Sequence, residues 1–547
     1  MSEKFDRFCR TISYLRPEQI FWRLWDRWRR PWHRTLLYSA LYLAPRPIPE
    51  IQRLPDSLWP GDPANGERIL IGRIKLLELE AEFPAEPNWQ PKGQSHLWLF
   101  TLHYFDWLAD LAALGSQEAA ARARQLIDHW LIKHPRPDSL GWHPYPLSLR
   151  LYAWLAHKPF ILSGSDPSFR HRLLSACDRQ ARYLVEVLEL DVGGNHLIKN
   201  LKALIAVAVA FPEHAFRLPS LLEQLKTALG HQILPDGCHY ERSPDYHLQV
   251  LCDLVDLLDL LPDSPEWLAK IVKRMSEAYA FFRHGDGGLA LFNDGTIGES
   301  RRLAALNVRL GPLPTPPKAL GHAGYYRFED QEAKLIFDAG ACCPDDLPAH
   351  AHADMLSFEF SDGPHRIIVN CGTYTYQDQK WRNLLRGTAA HSTITVDDED
   401  SAEVYDVFRL GRRPRRISVA NDGGAIIASH DGYAETLGVI HRRRIEQKPG
   451  IFYGEDWIEG MGVNGRTVTA RFHLHPDVVV EGGSGGALRL KAGDSCRWLF
   501  RYDGGTLSIG PSIYSPRFHV MKQTKLMMLE TTAEAGGARL SWSFSRD

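Results

Sequence analysis

The sequence predicts a multidomain α+β protein in which an N-terminal array of helices is followed by an antiparallel β-sandwich. Three observations support this prediction. The chain has 547 residues, which is too many for one ordinary hydrophobic core at roughly 150 residues per domain. From about residue 95 to 310 the apolar residues recur with a helical period. After Pro317 they recur with the two-residue period of strands.

The helical half consists of successive segments with apolar residues at i, i+3, i+4 and i+7, the pattern of one buried helix face. Loops such as KHPRPDSLGWHP separate these segments. Many helices joined in this way favour a helical array or a toroid. One helix start is well marked, because Ser243 suits the N-cap and Pro244 suits the first helical position. Representative segments are ARARQLIDHWLIKH, NHLIKNLKALIAVAVAF and YHLQVLCDLVDLLDLL.

The second half alternates between apolar and polar residues. In MLSFEFSDGPHRIIVN the side chains of Leu356, Phe358 and Phe360 fall on one face of a strand and polar side chains fall on the other, and Asp362–Gly363 supplies a turn. HSTITVDD and RLSWSFSR alternate in the same way. Such strands, punctuated by Gly and Asp, are typical of antiparallel sheets packed as a sandwich.

These patterns divide the chain into three parts. Residues 1–90 are predicted to be an extension that packs on the helical array. Residues 91–312 form the helical array itself, and residues 320–547 form the β-sandwich. GPLPTPPKALG, at residues 311–321, is the predicted linker because Gly and Pro interrupt regular structure.

Composition excludes several classes of protein. The net charge is −2, from 64 basic and 66 acidic residues, so no global field is available to hold a nucleic acid. Eight cysteines are scattered without a C-x-x-C pair, which is typical of small buried residues in a reducing compartment. No apolar window reaches the ~20 residues of a membrane span. The start of the chain lacks the apolar core of a signal peptide, and we therefore expect a cytoplasmic protein.

The N-terminal segment FWRLWDRWRRPW, at residues 21–32, mixes Trp with Arg. Packing of these aromatic side chains against the rest of the domain would explain the composition. The alternative is peripheral contact with a membrane surface, which an amphipathic basic segment can make without spanning the bilayer.

Polar side chains stand at the start of two apolar helices. In GGNHLIKN, Asn195 could serve as an N-cap, but capping does not explain the neighbouring His196. In DGCHYERSPDYHLQV, Tyr246 falls in the first turn of the helix that begins at Pro244. The other polar side chains around that helix start are candidate contacts for an anionic substrate, namely His239, Tyr240, Arg242 and His247.

AHAHADMLSFEF is the third constellation. On an extended chain His350, His352 and Asp354 would all project to one side. Two imidazoles at i and i+2 suit metal ligation and also suit a base and its neighbour. His391, in TAAHSTITV, is the nearest candidate for a further ligand from another strand.

Seven motifs occur in the order found in the heparinase II/III family, which the chain resembles over roughly residues 85–480. The resemblance implies an incomplete (α/α) toroid followed by a β-sandwich. It also implies a polysaccharide lyase acting on uronate-containing glycans such as heparan sulfate and alginate, and a related branch of the family carries uronate C5-epimerases. The motifs are WHPYPLSLRLYAWL, GGNHLIKNLKAL, DGCHYERSPDYH, LFNDG, HAHADMLSFEF, VNCGTYTY and RGTAAHSTITVDD.

The resemblance also implies roles for individual residues. Asn195 resembles the family residue that engages the uronate carboxylate, with His196 as its neighbour in the same motif. Tyr246 resembles the catalytic tyrosine and His350 the catalytic histidine. Arg386, the first residue of the seventh motif, is assigned to substrate binding.

A structural metal, usually zinc, is a further implication of the resemblance. His352 and His391 resemble two of its ligands. The third ligand in such members is an Asp, and this chain has Asn370 at that position. Asn is a neutral and weaker ligand for zinc, so this departure bears directly on whether the metal binds.

The chemistry of uronates explains why these residue types belong together. Removing the C5 hydrogen, which is alpha to the carboxylate, builds an enolate-like dianion that donors such as Asn195, His196 and Arg242 could stabilise. Tyr246 could act as both base and acid, or His350 could be the base and Tyr246 the acid. The sequence leaves both assignments open.

Three functions follow, and the first is a lyase that cleaves a uronate-containing glycan by β-elimination. Because no export signal is seen, a role in exopolysaccharide metabolism is expected for it. The second is a uronate C5-epimerase, which forms the same enolate and reprotonates it from the other face. The third is a non-catalytic glycan-binding subunit of a polysaccharide assembly system. All three imply an acidic oligo- or polysaccharide as the partner.

Overall fold

The computed structural model describes residues 3–46, 51, 53–55, 59–137, 140–482 and 487–547. Helices dominate the described chain up to residue 310, and one short hairpin, β1 (Arg73–Leu76) and β2 (Leu79–Glu82), interrupts them. The helices are α1 Glu3–Ser13, α2 Pro17–His33, α3 Leu36–Tyr42, α4 Pro63–Leu70, α5 His96–Tyr104, α6 Leu108–Ala112, α7 Gln117–Lys133, α8 Pro144–Ala156, α9 Lys158–Leu162, α10 Pro167–Glu186, α11 Gly194–Ala210, α12 Leu218–Gln232, α13 Pro244–Leu260, α14 Glu266–Phe281 and α15 Ser300–Leu310.

Large aromatic side chains fill the core of the helical domain. Trp130 on α7 and Trp154 on α8 are fully buried and meet edge to face, with ring centroids 5.6 Å apart. The buried guanidinium of Arg150 lies 4.0 Å from the Trp130 ring centroid and donates to Gln180 of α10. This buried cation is therefore both hydrogen bonded and stacked, which offsets the cost of removing it from water.

Strands dominate the chain from residue 319 onward. Two helices and a 3-10 turn interrupt them, namely α16 Gln379–Arg386, Thr388–Ala390 and α17 Ala434–Leu437. The strands are β3 Ala319–Leu320, β4 Tyr325–Asp330, β5 Ala333–Asp338, β6 Phe358–Asp362, β7 His365–Val369, β8 Ile394–Val396, β9 Val404–Asp406, β10 Arg409–Leu410, β11 Ile417–Asp422, β12 Ala425–His430, β13 Ile440–Lys448, β14 Ile451–Glu459, β15 Thr467–Leu474, β16 Val478–Glu481, β17 Ala487–Ala492, β18 Cys496–Asp503, β19 Thr506–Arg517, β20 Val520–Thr532 and β21 Ala538–Arg546.

Two large antiparallel sheets pack face to face in this half. One has the strand order β19-β20-β15-β7-β6-β5-β4-β3, with β8 paired to β15. The other has the order β11-β12-β13-β14-β21-β18-β17-β16. Phe358 of the first sheet stacks on Trp542 of the second, with ring centroids 4.8 Å apart and planes inclined by 11°. The predicted fold class, a helical domain followed by an antiparallel β-sandwich, is confirmed.

The polar face of β6 does not face solvent. Glu359 and Ser361 contact His284, which follows α14, through hydrogen bonds of 2.9 and 2.7 Å. Arg242, just before α13, donates to Asp338 at the end of β5. These buried polar contacts attach the sandwich directly to the helical domain, so residues at the helix starts meet residues at the sheet edge.

Helices α1 to α3 bridge both domains. Arg7 donates to Glu403 of the sandwich at 2.8 Å, and Tyr38 donates to Glu186 of the helical domain at 3.1 Å. Among the described residues, no helix combines the length and the apolar content that a transmembrane segment requires.

The segment from His350 to Asp354 differs from its prediction. It was expected to be extended, with the three polar side chains on one side, but β6 begins only at Phe358. The preceding residues form an irregular loop, and Leu356 adopts a φ of 59°. The three polar side chains therefore have different partners: His350 contacts Glu241, His352 contacts Asp294, and Asp354 accepts from the Asn293 N–H.

Candidate active site

The first part of the site is the start of α11. Gly193 is its N-cap residue and Gly194 its first residue, both with positive φ. A Cβ on Gly194 would fall 2.7 Å from a Leu347 methyl group and 2.9 Å from a Glu241 oxygen. Glycine is therefore required both by the backbone angle and by the close approach of the sandwich domain. Asn195 does not cap the helix, and its amide donates to the Tyr145 hydroxyl at 3.3 Å.

His196 lies beside Asn195 and is the more exposed of the two. Its ring packs against Tyr145, with centroids 4.1 Å apart and planes inclined by 32°. Its Nδ1 lies 2.8 Å from a Glu189 oxygen. Burial alone would lower the pKa of His196, but the Glu189 carboxylate outweighs it and raises that pKa above its ordinary value. His196 is therefore set up as a cation, and 27% of its side chain is exposed to receive an anion.

The second part of the site joins α13 to the sandwich. Ser243 caps α13, as predicted, and places Tyr246 in the first turn. The Tyr246 ring lies flat on the His350 ring, with centroids 3.6 Å apart and planes inclined by 18°. His350 also contacts Glu241, whose Oε2 lies 2.5 Å from His350 Nδ1. Burial would raise the pKa of Glu241, but the adjacent His350 lowers it, so Glu241 is a carboxylate.

Behind Tyr246 lies a second phenol. The Tyr246 and Tyr376 hydroxyls are 3.3 Å apart, and Tyr376 donates its proton to Asp294 at 3.0 Å. Asp294 is fully buried and also accepts from Arg382 at 2.6 Å and from His352 at 2.9 Å. Burial would raise the pKa of Asp294, but Arg382 and His352 lower it strongly. Asp294 is thus a fixed negative charge that orients the Tyr376 hydroxyl.

This environment keeps Tyr246 protonated. Burial raises its pKa first, and the neighbouring Tyr376 and Asp294 add to the effect. Because Tyr376 gives its own proton to Asp294, its oxygen is left to accept the Tyr246 proton. Tyr246 is therefore a neutral phenol, contrary to an activation as phenolate.

Four predicted substrate contacts turn inward instead. Arg242 donates to Ala323 O and Asp338, and His239 contacts Gln232 Oε1 at 3.2 Å. His247 contacts the Met275 carbonyl at 2.9 Å. Arg386 is fully buried and donates to the carbonyls of Pro348 and Ala351, among others. The hydrogen bonds named here are all made inside the protein, where they hold the α13 start and the His350 loop. In a sequence these residues resemble substrate ligands, because the sequence does not show which side chains are buried.

Tyr240 is also largely buried, and it packs edge-on against His239 with ring centroids 5.1 Å apart. Its position therefore supports the start of α13 and the neighbouring loop. All the contacts of Tyr240 described here are made within the protein.

The histidines assigned to the metal face each other. His352 Nδ1 lies 3.0 Å from His391 Nε2. The other, outer nitrogen of each ring meets an acceptor. His352 Nε2 lies 2.9 Å from the Asp294 carboxylate, and His391 Nδ1 lies 2.8 Å from the Gly387 carbonyl. Because both partners can only accept, the outer nitrogens carry hydrogen and the inner nitrogens present lone pairs. That is how two imidazoles are oriented when they share a metal.

Asn370 does not complete the set. Its Oδ1 accepts from the Ser392 N–H at 3.0 Å and its Nδ2 donates to the Leu291 carbonyl at 3.1 Å. Both ends of the amide are therefore held by backbone. Within the described part of the chain, no group of three or more His, Cys, Asp or Glu side chains could hold a metal. The residues do not fit a closed structural zinc site, which takes four ligands.

The comparisons with known proteins agree with the two-domain fold. Residues 83–309 match the family model Heparinase II/III N-terminus, and residues 312–543 match the model Heparinase II/III-like, C-terminal. The chain belongs to the heparinase II/III family. Its overall structure resembles that of heparinase III, with a TM-score of 0.74, 16% identity and coverage of 93% of this chain and 88% of the other.

Three further relatives define the range of similarity. FtsZ-localized protein C of Caulobacter vibrioides is 27% identical over 94% of each chain. Heparin-sulfate lyase of Pedobacter heparinus is 24% identical over 58% of this chain and 55% of its own length. The chondroitin AC lyase of Streptomyces coelicolor shares the fold at a TM-score of 0.54 and 12% identity, over 88% of this chain and 78% of its own.

Asn195, His196, Tyr246 and His350 stay predictions as site residues, and sequence reasoning missed the groups that contact them or support those contacts. Each of those groups is an acidic, phenolic or guanidinium side chain in or near a quoted motif, where it is easily mistaken for a solvated charge or a core ring. Their one sequence signal is their position next to a predicted site residue or in a motif shared with the family. The missed residues are Tyr145, Glu189, Glu241, Asp294, Tyr376 and Arg382.

Proposed function

We propose that the protein is a polysaccharide lyase that cleaves a uronate-containing glycan by β-elimination. The observation that carries this proposal is the stacked pair of Tyr246 and His350. His350 contacts the Glu241 carboxylate, and Tyr246 is linked through Tyr376 to the Asp294 carboxylate. An elimination needs one group that removes a proton and one that delivers a proton. This pair offers both within one contact.

His350 suits the base. The Glu241 carboxylate can only accept a hydrogen bond, so His350 Nδ1 carries the hydrogen and Nε2 is left with its lone pair. Nε2 would take the C5 proton. The imidazolium formed would then be stabilised by the adjacent Glu241 charge, as in other dyads where a buried carboxylate supports a histidine base.

Tyr246 suits the acid. Its raised pKa keeps the hydroxyl protonated at neutral pH. The proton would pass to the C4 oxygen as the glycosidic bond breaks. As Tyr246 loses its proton, the Tyr376 hydroxyl 3.3 Å away would turn its own hydrogen from Asp294 to the Tyr246 oxygen. Of the two assignments that the sequence leaves open, the geometry favours His350 as base and Tyr246 as acid.

The uronate carboxylate is assigned to Asn195 and His196. The enolate-like intermediate carries two negative charges. The free energy needed to form it falls when donors in fixed positions hydrogen bond to those charges. The Asn195 amide and the raised pKa of His196 supply a neutral donor and a cation on adjacent residues. An acidic sugar fits this pairing better than a neutral one would.

The epimerase alternative places different demands on the site. Inversion at C5 needs a proton donor on the ring face opposite the base. Tyr246 and His350 lie ring on ring, with centroids 3.6 Å apart, and two groups held this close together support proton transfer on one face of the sugar and therefore elimination. Incorporation of deuterium at C5 without chain cleavage would favour the epimerase.

A non-catalytic glycan-binding role is the second candidate. The observation in its favour is that the relative covering 94% of the chain is named for localisation with FtsZ and not for an activity. Under this alternative the same cleft residues would hold an acidic glycan without turnover.

One experiment separates these functions. The purified protein is incubated with a panel of uronans and with oligosaccharides extracted from its source cells. Ultraviolet absorbance of the conjugated double bond and mass spectrometry follow the products. We expect unsaturated products from wild type. Unchanged glycans that nevertheless bind the protein would replace the lyase by the binding function.

A further inference from the structure

Helix α2 turns an apolar face outward. Phe21, Leu24, Trp25 and Trp28 recur at helical spacing and are exposed, with Trp28 at 73% and Leu24 at 65%. Helix α3 continues this face with side chains that are also exposed, namely Leu36, Leu37 and Leu41. Isolated exposed apolar residues are ordinary on protein surfaces, but a contiguous row of aromatic and aliphatic side chains marks an interaction site.

The face is exposed because the opposite sides of α2 and α3 are already packed. Gln19 and His33 on α2 and Tyr38 on α3 are buried. His33 and Tyr38 both contact Glu186 of α10, at 3.4 and 3.1 Å. Rotating α2 to hide its tryptophans would break these contacts. The outward row, which we call the α2–α3 face, is therefore a fixed property of the fold.

Basic side chains border the α2–α3 face. Arg23, Arg27, Arg30 and Arg34 are exposed along the same helix and the turn after it. The acidic Asp26 pairs with Arg29 at 2.6 Å, so it does not neutralise the exposed arginines just named. The surroundings of the apolar row are therefore positively charged.

Two other occupants fit these observations poorly. A second copy in a two-fold dimer would bring the same arginines against each other, because such an interface pairs identical patches. A glycan would stack on aromatic rings but would leave Leu24, Leu36 and Leu37 in water. Aliphatic and indole groups surrounded by Arg match a lipid surface. There the apolar groups contact acyl chains, and the arginines contact anionic head groups.

We propose that the α2–α3 face docks the protein on the surface of an anionic lipid bilayer, with α2 lying in the plane of the interface. Trp25, Trp28 and the leucines enter the boundary between head groups and acyl chains, and the arginines bind lipid phosphates. This proposal does not depend on the proposed lyase function, because it concerns a surface outside the Tyr246–His350 pair.

The α2–α3 face lies beside the segment that leads to the candidate site. A cavity of about 290 Å³ separates Trp22 and Trp25 from Leu188 and Leu190, and Gly193 follows three residues later. A docked protein would therefore hold this cavity, and the chain that leads from it to the start of α11, near the membrane surface.

Vesicle binding tests the proposal without any substrate. The full chain is sedimented with phosphatidylglycerol vesicles and with phosphatidylcholine vesicles at equal lipid concentration. We expect binding to the anionic vesicles that weakens as salt is added. Leu24→Gln/Trp28→Gln should lower binding about 10-fold or more, and Arg27→Gln/Arg30→Gln roughly 30-fold.

Phe216→Gln/Val308→Gln is the matched control, since Phe216 and Val308 are equally exposed apolar residues elsewhere, at 73% and 83%. It should bind vesicles like wild type. Equal binding to both vesicle types, binding to neither, or equal loss in the control would overturn the proposal. So would self-association without vesicles that the Leu24→Gln/Trp28→Gln variant abolishes, because a second copy would then occupy the face.

Discussion

The imidazole of His350 lies flat against the phenol of Tyr246, with ring centroids 3.6 Å apart. Tyr246 belongs to the helical domain and His350 to the sandwich, so the two proposed catalytic groups come from different halves of the chain. Glu241 and Asp294, which support them, lie in loops where the domains meet. The candidate site therefore exists only when both domains are in place, and separated domains should have no activity.

Tyr246→Phe tests the general acid. The variant keeps the ring that stacks on His350 but loses the proton for the leaving oxygen, so we expect kcat to fall by about 10²–10⁴-fold with little change in the melting temperature. The measurement is the initial rate of ultraviolet absorbance on the best uronan. Tyr453→Phe, on strand β14 away from the site, is the control and should retain full activity. Full activity of Tyr246→Phe would remove Tyr246 from the mechanism.

Glu241→Gln tests the support of the base. Glutamine can still accept from His350 Nδ1, but it lacks the charge that stabilises the imidazolium. We expect kcat to fall roughly 10- to 100-fold, the cost of losing a charge-assisted hydrogen bond. KM should change little, because the lost charge acts on the imidazolium that forms only during the reaction.

A purely structural role for Glu241 would instead lower the melting temperature together with the activity. Glu403→Gln provides the comparison, since it also removes a carboxylate from a charged pair, here with Arg7 at 2.8 Å. Its kcat and KM should match those of wild type. Equal kcat values for Glu241→Gln and Glu403→Gln would contradict a role of Glu241 in the reaction.

The sequence was informative where a residue sits at a marked helix start. Ser243 and Pro244 fix the first turn of α13 and thereby the position of Tyr246. The paired glycines before Asn195 similarly mark the start of α11. Local rules of capping and backbone freedom are enough to place such residues, and the change of apolar period is enough to separate the two domains.

The remaining site residues depend on tertiary structure. Asp294 gains its role from Arg382 and Tyr376, more than 80 residues away, and no local pattern reports such a contact. Arg242 lies in the same motif as Tyr246, yet its φ of 59° sends it inward to Asp338. A sequence shows that a charged residue is near a motif, but only the fold shows which way it points.

Tyr376→Phe tests the second phenol. The change removes the hydroxyl 3.3 Å from that of Tyr246 and keeps the ring beneath Arg382. One neutral hydrogen bond is worth about 1 kcal/mol, so kcat should fall about 5-fold. Because Tyr376 helps to raise the pKa of Tyr246, the alkaline limb of the kcat profile should move to lower pH. An unmoved alkaline limb would mean that Tyr376 only packs.

Glu189→Gln tests the charge on His196. Burial lowers the pKa of His196, while Glu189 raises it above 6.5 in net effect. In wild type the cation is present below that raised pKa and is lost as pH increases through it. KM for an anionic glycan should therefore rise toward alkaline pH, and in Glu189→Gln this rise should begin at lower pH. A KM that does not depend on pH in either protein would contradict the assignment of His196 to the uronate carboxylate.

Asn370→Asp tests the departure at the implied zinc site. Asn370 Nδ2 donates to the Leu291 carbonyl, and an Asp cannot, so the metal-free variant should lose about 1–3 kcal/mol of stability. The new carboxylate would join His352 and His391, whose inner lone pairs already face each other. Zinc should then raise the melting temperature of Asn370→Asp and bind it stoichiometrically, while wild type responds weakly. Adding His391→Gln to Asn370→Asp should abolish the effect, and equally strong zinc binding by wild type would show that Asn370 is itself a sufficient ligand.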